Sequence, residues 1–147
     1  MDMNSGINSY KSISVNTADP LKLVVMCYEH AIQALNNAIE HYHNKQYFEK
    51  TQQLNKAQAI INELMSSLDM EQGEQIASNL SSLYAFMQKT ILDADMHRDT
   101  AKIEKVVEML HQLLDAWKAV AADARAKDQV SYGTAAAAEM NQGGISV

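Results

Sequence analysis

Between Leu21 and Tyr42 apolar residues recur at spacings of three and four: Leu21, Val24, Tyr28, Ala31, Leu35, Ala38 and Tyr42. At about 100° per residue these positions form one seam of a helix. Leu23, Val25, Cys27, Ile32, Ala34 and Ile39 flank the seam, and Lys22, Glu29, His30, Gln33, Asn36, Asn37 and Glu40 gather opposite it. The apolar arc spans roughly 200°, against the roughly 100° that packing on one neighbour needs. The pattern therefore predicts a helix that is central in a bundle or covered by something more: the chain's own N-terminus, a second copy or a partner.

Three further segments show the same period. Leu54, Ala57, Ile61, Leu64 and Leu68 form the seam of a second helix, predicted over Gln46 to Leu68 after a short Asn44-Lys45 turn. Asp69 to Gly73 is read as a break. A third helix follows from Glu74 to Asp95, with Ile76, Leu80, Leu83, Met87, Ile91 and Ala94 inward. Asp99 is placed as the N-cap of a fourth, whose seam reads as heptads: Ile103, Val106, Leu110, Leu113, Trp117, Val120 and Ala124. Asp19 before Pro20 marks the start of the first helix, because the N–H that proline lacks would be unpaired at that position anyway. Four amphipathic helices joined by short connections imply antiparallel neighbours. The fold class is all-α: an antiparallel up-down four-helix bundle over 19–126. Residues 1–18 form an N-terminal arm carrying Ile7, Tyr10, Ile13 and Val15, and 127–147 a mobile tail whose alanines can extend a helix when something is bound.

Composition narrows the function. Hydrophobic residues make up 47% of the 147, enough for a core, and the net charge of −6 argues against nucleic-acid binding, which needs a basic patch. One cysteine, Cys27, excludes an internal disulfide, fits a reducing compartment, and is expected in the core. No apolar run is long enough for a membrane span, and MDMNSGINSYKS lacks the regions of a signal peptide, so a cytoplasmic protein is expected.

Candidate chemistry is sparse. Two Glu-x-x-His pairs, Glu40/His43 and Glu108/His111, are what a di-iron bundle uses, but here they lie off the inward seams, and the third helix has no glutamate after its first residue. No metal or other cofactor is expected. His30, His41, His97 and His111 are the candidates for a phosphotransfer bundle, an alternative kept beside a structural self-associating one. No nucleophile–base pair or phosphate loop occurs, so no enzyme is indicated. Apolar residues recur off the seams, at Ile60, Met65, Tyr84, Leu92, Met109 and Leu114, and Met26 sits among polar neighbours. Extra apolar stripes on adjacent helices either widen the core or make grooves that receive a partner's amphipathic helix.

Several stretches, in this order, resemble the flagellar export chaperones of the FliS family: SVNTADPLKLVVMCYEHAI, LNKAQAIINELMSSLD, GEQIASNLSSLYAFM and LLDAW. Together they span about residues 10 to 118. Where the family often has L-Y-D-G-A, this chain has Cys27-Tyr28-Glu29-His30-Ala31. The resemblance implies a cytoplasmic, monomeric or dimeric chaperone. Its client would be the C-terminal segment of flagellin, kept from premature polymerisation and competent for type III export. No ATP or metal would be involved. The flagellar export gate and a flagellar regulatory protein are further partners it suggests. Carried over position by position, the partner-binding residues would be Tyr10, Tyr28, Lys56, Ile60, Leu64, Ile76, Asn79, Leu80, Tyr84 and Trp117. Leu64, Leu80 and Trp117 are seam positions with a competing role in the core. Tyr10, Lys56, Asn79 and Tyr84 have polar tips suited to fixing a peptide's register.

Overall fold

A computed structural model of the chain describes the backbone of residues 20–141 and the side chains of residues 20–126. The N-terminal arm with Tyr10, and the Asp19 cap, lie outside the described residues. Four helices follow in order: α1 Pro20–His43, α2 Tyr47–Ser66, α3 Met70–His97 and α4 Thr100–Asn141. No strand occurs among the described residues.

The connections are two or three residues long, so consecutive helices run antiparallel. Two of them close through left-handed residues. Lys45 (φ 59°) follows α1, with the Gln46 N–H reaching back to the His41 carbonyl at 2.8 Å; Arg98 (φ 51°) follows α3, with the Asp99 N–H on the Ala94 carbonyl at 2.9 Å. Asp69 caps α3 by accepting from the N–H groups of Glu71 and Gln72.

The expected break over Asp69 to Gly73 is narrower than the sequence suggests. Met70 to Gly73 already form a capped turn of α3, and the helix kinks at one residue, Glu74 (φ 48°, ψ −121°). The kink brings this turn down on Ala77. A Cβ at position 73 would lie 2.6 Å from the Ala77 Cβ, so only glycine fits there.

α1 packs closely on α2 and on α4, while α3 closes the ring between them. Ala31, Ala34 and Ala38 are fully buried on α1, and their small side chains let neighbouring backbones approach. The broad apolar arc of α1 is therefore used by the bundle itself, flanked on two sides. α3, on the diagonal, is reached by long side chains. At one end the Tyr42 hydroxyl donates to Asp95, which also takes Lys50 Nζ at 2.7 Å. Lys50 lies 4.9 Å above the Tyr42 ring, and Arg98 5.0 Å above Tyr47.

Most of the expected seams are buried, with corrections on α3, on α4 and at Cys27; on α3, Tyr84 is buried where the seam reading puts Leu83. Ile76 is 72% exposed and Ala77 is buried in its place. On α4, Leu114 and Ala121 turn inward, where the heptad reading puts Leu113 and Val120; Val120 is half exposed. Cys27 is only partly buried, at the margin of the core. Helical backbone also continues beyond the end of the α4 seam, to Asn141.

Asp95 carries a pH dependence. Burial pushes its carboxyl up, but the hydrogen bonds from Lys50 and Tyr42 and the Lys50 charge outweigh that and hold it below the usual carboxylate range. Burial, then the bond to Asp95, push the Tyr42 phenol far above its ordinary value. A depressed carboxylate contributes stability above its unfolded value of about 3.9 and loses it as pH falls through the folded value. Asp95→Ala is expected to cost about 1–2 kcal/mol at neutral pH, kept small because water reaches the carboxylate. Urea unfolding at pH 7 and pH 3 checks this: the gap between wild type and variant should shrink at the lower pH.

Candidate partner-binding site

The opposite end of the bundle is built on three aromatic residues. Tyr28 of α1 and Tyr84 of α3 are buried and hydrogen-bond through their hydroxyls across the diagonal, with ring centroids 6.4 Å apart. Trp117 of α4 donates its indole N–H to the Tyr28 oxygen at 3.2 Å. One phenol oxygen can accept from Trp117 while sharing a hydrogen with Tyr84, so a single tyrosine ties three helices. Burial raises the Tyr28 phenol, more than the bonds to Tyr84 and Trp117 lower it, so it stays neutral.

Above this floor is an apolar mouth of about 240 Å³. Pro20, Leu21 and Val24 supply the α1 wall, Leu64 with Ser67, Leu68 and Asp69 the α2 wall, and Tyr84 and Trp117 the base. Among the described residues it is open because the helices differ in length. Pro20, where α1 begins, is eight residues before Tyr28; eight before Tyr84 is Ile76, and eight beyond Trp117 is Arg125. α3 and α4 both continue past those levels, whereas α1 and α2 do not. Among the described residues, α3 and α4 thus extend past α1 and α2 at this end. Ile76 is 72% exposed there, and Met70 stands 43% exposed nearby in sequence.

Of the residues carried over from the resemblance, Leu64, Tyr84 and Trp117 meet in the mouth, and Tyr28 lies beneath them. Leu80 is buried one turn from Tyr84, and Ile76 continues that face into solvent. Ile60 is partly buried against the core. Lys56 is exposed on α2, and Asn79 is exposed on α3, where it accepts from Gln75 at 2.9 Å. The structure does not bring Lys56 or Asn79 into the mouth. Pro20, Leu21, Val24 and Leu68 do line it, although as a sequence they read only as a helix start and seam positions.

The other candidates lie on the outside. Glu40, His43, Glu108 and His111 are exposed, as are His30 and His97. His41 is partly buried, with its Nδ1 2.8 Å from Gln46 Oε1. Among the described residues no three His, Cys, Asp or Glu side chains gather as a metal site, and no helix is long and apolar enough to cross a membrane.

The fold and the mouth together define a helical bundle with an open apolar end. Residues 3–124 match the family model described as flagellar protein FliS, and the chain belongs to that family. Curated relatives named flagellar secretion chaperone FliS include that of Salmonella typhimurium, 36% identical over 79% of this chain and 90% of the relative. The Vibrio cholerae protein is 34% identical over 78% and 88%, and that of Bacillus subtilis 28% over 80% and 87%.

Proposed function

We propose that this chain is a cytoplasmic flagellar secretion chaperone that holds the C-terminal segment of flagellin over the apolar mouth, masking it from premature polymerisation and keeping it ready for type III export. The observation that carries this reading is the mouth itself, an apolar, aromatic-floored opening at the end of a bundle belonging to this family. A segment that is disordered when free loses entropy on ordering but can wrap a large surface, and its apolar face needs a preformed apolar counterpart. Tyr84, Leu64 and Trp117 make the central contacts with Tyr28 supporting them. Leu80 and Ile76 extend the track along α3, Ile60 extends it along α2, and Lys56 and Asn79, exposed outside the mouth, fix register where the client runs on along those helices. The arm enters at Pro20, on the lip of the mouth, and covers it through Tyr10 and Ile13 until the client displaces it. Deleting residues 1–16 probes the arm: unchanged affinity together with unchanged stability contradicts that role. The export gate and a flagellar regulatory protein act as further partners on the loaded chaperone.

The test is calorimetric titration with a peptide of the flagellin C-terminal segment, followed in parallel by circular dichroism. Tight binding with a negative heat-capacity change and gained helicity is expected. No binding to a well-folded chain would overturn the flagellin reading.

A further inference from the structure

Beside the mouth, between the first turns of α1 and the later part of α4, lies a second pocket of about 320 Å³. Its lining is Lys22, Lys118 and Arg125 over Val25 and Ala121, with no carboxylate among them; the outer α3–α4 groove also gathers lysines, but there Asp93 pairs with Lys102. Lys118 and Arg125 are seven residues apart on α4, and so share a face of the helix. Both are exposed, and neither has an ion-pair partner among the described residues. Ala121, between them, is buried, and Val25 is partly buried. In a chain of net charge −6, three cations over an apolar floor form a local field that favours an anion attached to an apolar group.

We propose that this pocket receives the free C-terminal carboxylate of the client, with the last apolar side chain on Val25 and Ala121 and the carboxylate between Lys118, Arg125 and Lys22. The proposal rests on the reading above, that the client is a C-terminal segment. Three features favour a chain end. A segment crossing side-on would present its anions along its length, whereas beside the mouth the positive charge gathers in one small concavity. The pocket's volume suits one or two residues and not a helix. The pocket also adjoins the mouth through consecutive residues: Leu21, Val24 and Trp117 line the mouth, and Lys22, Val25 and Lys118 line the pocket. A segment leaving the mouth across the first turns of α1 arrives there directly.

The experiment is calorimetric titration of the full chain with the flagellin C-terminal peptide in two forms, the free acid and the C-terminal amide. The amide is expected to bind about five-fold more weakly, the scale of two exposed ion pairs. That ratio should fall toward one at high salt. In a Lys118→Gln, Arg125→Gln double variant, shown to be folded by circular dichroism, acid and amide should bind equally. Equal binding of the two forms to the wild-type chain would overturn the proposal. So would a ratio that survives in the double variant, which would place carboxylate recognition elsewhere. Failure of both forms to bind a folded chain would overturn the flagellin reading itself, and the proposal with it.

Discussion

Val24→Glu is expected to weaken binding of the flagellin segment about 100-fold, equivalent to about 2.7 kcal/mol, while the bundle stays folded. Val24 is partly buried on the α1 wall of the mouth, one turn above Tyr28. In the free protein a glutamate there can displace the arm and turn toward water through the opening, so the folded bundle loses little. Once a client covers the mouth that route closes, and an unpaired carboxylate against Leu64, Leu68 and Trp117 carries a large desolvation cost. Phe86→Ser is the control. Phe86 is 56% exposed and lines a groove with Lys89 and Lys105, on the outer face between α3 and α4. Removing it deletes a comparable apolar surface away from the mouth, so affinity should be unchanged. Titration calorimetry of both variants separates a defined binding mouth from general stickiness: equal losses would mean that any exposed apolar residue serves.

Tyr28→Ala is expected to cost about 3–5 kcal/mol of stability, the range for emptying a large aromatic site in a core. Tyr28 is fully buried, and its hydroxyl links α3 and α4 to α1, so the loss removes both packing volume and the cross-bundle tie. Tyr28→Phe separates the two contributions. It keeps the ring and deletes only the oxygen, leaving the Trp117 indole N–H without its acceptor and Tyr84 without that bond, for a cost of about 1–2 kcal/mol. Denaturant unfolding measures both, with a lower midpoint and unchanged slope indicating a stability effect alone. A Tyr28→Phe cost as large as that of Tyr28→Ala would mean that the hydroxyl pair, and not the ring, holds this end together.

The periodicity of the chain was enough to place the four helices and most of the core, because burial on a helix depends first on angle. It says nothing of height along the bundle. Periodicity places Ile76 inward, yet at the level where α1 begins it is Ala77, on the next position, that turns into the bundle. The same blindness hid the mouth, since Leu21, Val24 and Leu68 look like ordinary seam residues until the ends of α1 and α2 are known. The α4 errors have another cause. A heptad frame advances 3.5 residues per turn and a straight helix 3.6, a drift of about 20° per heptad. After Leu110 that drift moves the inward position from Leu113 to Leu114 and from Val120 to Ala121. The kink at Glu74 was signalled only by Gly73, and the contact with Ala77 that requires glycine exists only in three dimensions. Beyond Ala126 the seam ends, and helical backbone continues to Asn141, which the alanines, with the highest intrinsic helix propensity, allow. Tyr84 and Trp117 entered as candidates through the family resemblance, Trp117 from its seam and Tyr84 from a position off it. Their meeting over Tyr28 depends on which helices are diagonal, which no local pattern encodes.

The most direct test of the mouth as the client's site is amide hydrogen exchange of the full chain with and without the flagellin segment. The account predicts new protection in the first turns of α1, the end of α2 and its link to α3, the start of α3 and the stretch of α4 around Trp117, with the Tyr42–Asp95 end unchanged. Protection concentrated at the Tyr42–Asp95 end, or along the outer α3–α4 groove at Phe86, would contradict it.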